Sequence, residues 1–149
     1  MNVQQKRVLV VDDDAVIREL LSSVLEQESL EVDCAENGRQ ALQRMRENEY
    51  SVVLLDLLMP EMNGFEVLQE MEEDARPVVL VITGADHSTV DQLDSRIVHG
   101  IIRKPFDPHE IAELVRSCAE IRGRGPLGAM AIATMFAGTP LLALYINRF

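Results

Sequence analysis

Five short apolar runs, separated by stretches of helical periodicity, constrain this chain more than any other feature. Val8–Val11, Leu30–Ala35, Ser51–Leu55, Val78–Ile82 and Val98–Ile102 are each about five residues long and, except for the second, rich in β-branched side chains. Runs so short and apolar suit strands buried on both faces of a parallel sheet. Between them, Val16, Ile17, Leu20, Leu21, Val24 and Leu25 fall on one helical stripe. Shorter stripes follow at Ala41, Leu42 and Met45, at Phe65, Leu68 and Met71, and at Ile111, Leu114, Val115 and Cys118. The stretch from Asp86 to Arg96 is the weakest helix, with only Val90 and Leu93 as apolar anchors. Five strands alternating with five helices predict a doubly wound α/β sheet, because right-handed crossovers place helices on both faces.

Charge narrows the function. The 149 residues carry 14 Lys+Arg and 25 Asp+Glu, a net charge of −11, which repels phosphate backbones and argues against a general nucleic-acid grip. No DNA-reading helix-turn-helix is expected after the last strand-helix unit. Cys34 and Cys118 form no CxxC and have no zinc-spaced histidine, which excludes a disulfide scaffold and a zinc finger and fits a reducing cytosol. The opening MNVQQKR does not read as a signal peptide. All the acidic residues lie at or before Glu120, whereas residues 121–149 hold only Arg122, Arg124 and Arg148 among charged side chains. The composition therefore breaks near Gly123-Arg124-Gly125-Pro126, dividing a domain at 1–122 from an apolar tail at 123–149.

In a doubly wound sheet, chemistry collects at the carboxyl ends of the strands. The first strand ends in Asp12-Asp13-Asp14, where a dinucleotide-binding fold would place glycines. Carboxylates here repel phosphate and attract a hard cation. Asp14 reads as the cap of the next helix, and Asp12 and Asp13 as cation ligands. The third strand ends in Asp56, a lone carboxylate in an apolar run, which is costly unless compensated. The fourth ends in Thr83-Gly84. The fifth ends in Lys104-Pro105, where the ammonium can turn back across the strand ends and Pro105 is a candidate for a cis bond. Three carboxylates make an oxygen site suited to Mg²⁺. A carboxylate can also attack a phosphoryl group in line to give an acyl phosphate, whose oxygens a cation, an ammonium and a hydroxyl would stabilise. His87, His99 and His109 fall in no catalytic pairing and read as surface or packing residues.

Residues 6–121 resemble the response-regulator receiver domain of two-component phosphorelays. The resemblance is carried by residues 8–14 (VLVVDDD), 35–38 (AENG) with Ala41-Leu42, 56–64 (DLLMPEMNG), 82–84 (ITG) and 104–106 (KPF). It implies a flavodoxin-like sheet of order 2-1-3-4-5 and a phosphoacceptor at Asp56. It also implies Mg²⁺ held by Asp13, with Asp12 assisting partly through water, and by Asp56 and the Leu58 main-chain oxygen. Lys104 would pair with the phosphoryl oxygens, Thr83 would move toward them, and Pro60 and Gly64 would shape the loop after Asp56. The implied partners are a histidine kinase or phosphotransfer protein and an output protein. The fourth helix, fifth strand and fifth helix are the usual output and dimer face of such domains.

Two departures from the resemblance stand out. Ile101 occupies a position, three before the lysine, where receivers often carry an aromatic switch. Leu58 and Ala85, two beyond Asp56 and Thr83, are apolar where receivers often hold side chains that orient an attacking water. The rival reading, a Mg²⁺-dependent enzyme with an aspartate nucleophile, normally needs a second aspartate two residues on, where Leu58 stands. A third reading is a binding module that never turns over phosphate.

The tail adds a further expectation. Leu127–Ile146 is a run of 20 mostly apolar residues, which as helix would rise about 30 Å, enough to cross a bilayer. Arg122 and Arg124 precede it, as expected of a cytoplasmic receiver tethered to the inner membrane face. Ala129, Ala133 and Ala137 offer a small-residue packing face, so self-association or packing on a partner competes with anchoring through residues 125–147. A cleavage-site remnant at Gly125-Pro126-Leu127-Gly128 is the third alternative.

Overall fold

The five apolar runs become five parallel strands: β1 (Arg7–Val11), β2 (Glu31–Ala35), β3 (Val52–Leu55), β4 (Val78–Thr83) and β5 (Gly100–Arg103). Their order in the sheet is β2-β1-β3-β4-β5, as the resemblance implies. The computed structural model describes residues 6–71, 77–94 and 96–121. The tail at 123–149, with its anchoring, packing and remnant readings, lies outside the described residues. Among the described residues, no helix is long and apolar enough to cross a membrane.

The period-two pattern of the strands divides the interior into two cores. Val8, Val10, Val52, Leu54, Leu80 and Ile82 face α1 (Ala15–Gln27) and α5 (Pro108–Ile121), meeting Leu21, Leu25, Ile111 and Val115. Leu9, Val11, Val53, Leu55, Val79 and Val81 face α2 (Gly38–Glu47) and α3 (Gly64–Glu70), meeting Ala41, Leu42, Val67 and Leu68. Each central strand is covered on both sides, which is why its sequence is apolar without alternation. Asp14, Asn37 and Asn63 cap α1, α2 and α3 by accepting the N–H groups of Val16, Gln40 and Glu66.

Two elements differ from the sequence expectation. The weak helix between Asp86 and Arg96 is a single turn, α4 (His87–Val90). Asp86 caps it properly, but the Asp94 carboxylate takes the Arg96 N–H and closes a local turn that competes with helix. β5 starts at Gly100 rather than Val98 because His99 makes the approach. Its N–H donates to the Val79 carbonyl, and its Nδ1 accepts the Val79 N–H at 3.0 Å. Burial holds the His99 imidazole below its ordinary value, in the neutral form that this acceptor role requires.

At the amino end of the sheet, one polar network ties the strand entries together. Arg7 donates to Asn48 and Glu31 at 2.5 Å each, and the Tyr50 hydroxyl donates to Asp33 at 2.6 Å. The carboxyl end is left for other purposes.

The loop after β3 is docked by close approach. The Gly64 N–H donates to the Leu57 carbonyl, and a Cβ on Gly64 would lie 2.5 Å from the Asp56 carbonyl oxygen and 2.9 Å from the Leu57 Cα. Both neighbours are backbone and cannot swing away. Gly64→Ala should therefore lower stability by about 1–3 kcal/mol, the usual cost of overpacking. The check is the urea midpoint at constant m; an unchanged midpoint would contradict this packing.

Candidate functional site

Asp12 and Asp56 directly follow the ends of the adjacent strands β1 and β3, and main-chain hydrogen bonds extend the sheet to both. The Asp12 N–H donates to the Ala35 carbonyl at 3.2 Å, and the Asp56 N–H to the Val11 carbonyl at 2.9 Å. Their side chains are only 4% and 5% exposed. Asp12 Oδ1 accepts the Asp14 N–H at 2.9 Å, and Asp56 Oδ1 accepts the Leu58 N–H at 3.3 Å. The Lys104 ammonium stands between the remaining oxygens, 3.0 Å from Asp12 Oδ2 and 3.5 Å from Asp56 Oδ2.

Asp13 is exposed, unlike its neighbour, yet one oxygen from each of Asp12, Asp13 and Asp56 lies within 4.8 Å of the others. Three carboxylates around one ammonium leave the cluster two negative charges in excess. The donors are all hard oxygens, and one carboxylate faces solvent, where an ion can enter. This set fits Mg²⁺, which binds through few carboxylates and keeps water.

Burial pushes the Asp56 carboxyl above its ordinary value, and Asp12 adds to the effect. Lys104 and the Leu58 N–H pull in the opposite direction without overcoming it. Burial also works against the Lys104 ammonium, but the hydrogen bond to Asp12 and the charge of Asp56 outweigh it and hold the amine above its usual range. Lys104 is therefore the fixed charge at the site, and Asp56 the strained one.

Thr83 closes β4 and is fully buried; its Oγ1 accepts the Ala85 N–H at 3.0 Å. Its carbonyl accepts the Lys104 N–H at 3.0 Å, which joins β4 to the lysine's own backbone. The Lys104–Pro105 peptide is cis. Leu58 is 57% exposed and Ala85 is buried.

Sequence reasoning missed two arginines. Arg18 Nη1 donates to the Asp12 carbonyl at 2.8 Å. It lies one helical turn beyond Asp14, so the cap position could have shown that it returns to the strand end. Arg103 donates to the Ala85 carbonyl and contacts His87 Nδ1 at 3.1 Å. Its strand position could not have revealed those partners.

A doubly wound parallel sheet with an acidic cluster and a lysine at its carboxyl edge defines the signal-receiver class of α/β proteins. The response regulator receiver domain family matches residues 8–116, and the chain belongs to it. Over 112 residues it is 37% identical to the transcriptional regulatory protein SrrA of Staphylococcus aureus, covering 74% of this chain and 46% of that protein. The chain thus spans about half the length of the curated relatives it matches. Among solved structures, the response regulator protein TrrA of Thermotoga maritima, in complex with Mg(2+)-BeF, is 36% identical with a TM-score of 0.68, over 76% of this chain and 99% of that one. A CheY-like receiver domain protein from Methanospirillum hungatei JF-1 shares the fold, with a TM-score of 0.75 at 24% identity, over 81% and 98% of the two chains.

The strain on Asp56 has a measurable consequence. Its folded-state pKa is raised, so the folded protein binds more protons than the unfolded one between the two values, and stability falls as pH rises through that window. Asp56→Asn removes the cost. Without divalent cations at pH 7, the variant should be as stable as the parent or more so, and the difference should shrink as pH falls toward 4. Urea unfolding in chelator at both pH values tests this; a clearly less stable variant at pH 7 would refute it.

Proposed function

We propose that Asp56 is the phosphoacceptor of a two-component phosphorelay, loaded by a histidine kinase or phosphotransfer protein. The observation that supports this best is the Lys104 ammonium lying between two buried carboxylates with a third, exposed one beside them. An Asp56 carboxylate oxygen attacks phosphorus as the bond to the donor's nitrogen or oxygen breaks, giving an acyl phosphate. Asp13, Asp12, Asp56 and the Leu58 main-chain oxygen would hold Mg²⁺, which when bound would supply positive charge against the phosphoryl oxygens. Lys104 supplies a second, permanent charge and can transfer its pairing from Asp56 to the new phosphoryl group. Thr83 donates its hydroxyl to that group.

The domain at 1–122 then signals through contacts with an output protein rather than by turning over a substrate of its own. The aspartate-nucleophile enzyme is not favoured: Leu58 stands where the second acid–base aspartate would be, and the family match is to receivers.

The site divides into roles that can be separated. With a small acyl-phosphate donor and Mg²⁺, intact mass should show one acid-stable, base-labile phosphoryl group, absent in Asp56→Asn. Asp13→Ala should abolish the Mg²⁺ dependence. Lys104→Ala should keep Mg²⁺ affinity close to that of the parent while losing the thermal shift on phosphorylation. Equal loss of metal binding in the last two variants would make Lys104 structural.

The acyl phosphate should also be long-lived. Hydrolysis requires a water held in line behind phosphorus, and neither Leu58 nor Ala85 has a side-chain donor or acceptor to hold it. Replacing Leu58 with Asn and Ala85 with Glu should shorten the lifetime, read as loss of label in Mg²⁺ buffer. An unchanged decay in the double variant, or a parent half-life of seconds, would defeat this reading.

A further inference from the structure

We infer that Arg18 is a positioning residue for the metal-binding carboxylates, acting through the peptide between Asp12 and Asp13. The inference rests on the metal-dependent reading of the site. The β1 pairings with β2 and β3 end at Val11, and the Asp12 N–H is the last to reach the β2 side, at the Ala35 carbonyl. Beyond this point the sheet no longer dictates the path of the chain. The Asp12 carbonyl accepts Arg18 Nη1 at 2.8 Å instead.

The Arg18 backbone is itself fixed, because its N–H donates to the Asp14 carbonyl at 3.1 Å in the first turn of α1. Asp12 Oδ1 accepts the Asp14 N–H, and Asp14 caps Val16. The strand end, the acidic turn and the helix start thus form one closed set of hydrogen bonds, in which Arg18 supplies the side-chain donor. A peptide unit is planar, so holding the Asp12 carbonyl also fixes the plane that carries the Asp13 nitrogen. Asp13 is exposed and lacks packing of its own to define its direction. Its carboxylate stands near those of Asp12 and Asp56 because the peptide before it is held.

Charge alone makes the opposite prediction. A guanidinium beside an acidic cluster repels an incoming cation, so if Arg18 were only a charge, removing it would tighten Mg²⁺ binding. If it positions Asp13, removing it weakens binding despite the lost repulsion. Loss of an outer partner of a metal ligand typically costs about 10- to 100-fold in affinity.

The test is calorimetric Mg²⁺ binding to the full chain, its Arg18→Met and Arg18→Lys variants, with urea unfolding in chelator alongside. Arg18→Met should bind Mg²⁺ about tenfold more weakly, and Arg18→Lys should fall between it and the parent, because an ammonium keeps the charge but not the reach and planar fork. Equal or tighter binding in Arg18→Met overturns the inference and leaves the metal reading intact, as does a loss of unfolding stability with unchanged affinity. A parent chain that binds no Mg²⁺ overturns both. Should Arg18→Met fail to fold, parent-like affinity in Arg18→Lys decides against the inference.

Discussion

The carboxyl edge of this sheet depends on one ammonium. Asp12 and Asp56 end neighbouring strands, are almost completely buried, and face the same low-dielectric space. Two such carboxylates alone would repel each other and be driven to protonate. Lys104 keeps them together from β5, at the far edge of the sheet, by crossing the end of β4. The crossing runs beside the end of β4: a Cβ on Gly84 would lie 4.0 Å from the Lys104 Cβ, in ordinary van der Waals contact with it. The Lys104 N–H on the Thr83 carbonyl fixes where the crossing begins. The strand order thus sets which residues can meet, and the lysine makes their meeting tolerable.

That compensation is incomplete, and its incompleteness is what makes the edge useful. Burial, with the charge of Asp12 added, leaves Asp56 with its proton affinity raised despite the ammonium, a cost the two cores on either side of the sheet can bear. Sites that are strained before they act are drawn from stability supplied elsewhere. A divalent cation bound there would relieve the excess charge, and a phosphoryl group on Asp56 would alter the local balance of charge. Lys104 touches both buried carboxylates, so any change in the charge of one shifts its pull on the other.

Most of this was legible in the sequence, for a physical reason. Strands buried on both faces must be apolar, so a polar residue that ends one is conspicuous; Asp12, Asp56, Thr83 and Lys104 were all found in this way. The cap at Asp14 followed from position alone. What escaped depends on local competition or long reach. The length of α4 was decided by the Asp94 turn, the start of β5 by a histidine ring acting as a strand acceptor, and Arg18 and Arg103 by side chains bridging elements. Hydropathy periodicity reports which face of an element is buried. It does not report where a guanidinium five bonds from its backbone comes to rest.

Arg103 matters for how the edge communicates with the rest of the molecule. Ile101, at the position where similar domains often carry an aromatic, is a buried aliphatic that faces the core with Val79, Val81 and Val90. It offers no ring to turn between core and surface. Ala85 is instead held at both of its flanking peptides, its N–H by the Thr83 hydroxyl oxygen and its carbonyl by Arg103, whose guanidinium also meets His87 at the start of α4. Thr83 therefore cannot shift its hydroxyl while keeping its bond to Ala85 unless the Ala85 backbone follows. That backbone cannot follow without disturbing Arg103 and the single turn of α4. Few buried contacts and a one-turn helix make this segment easy to displace, whereas β4 beneath it is paired on both sides, with β3 and β5. A change at the buried carboxylates thus meets a soft, arginine-braced loop first, and the stiff sheet only after it.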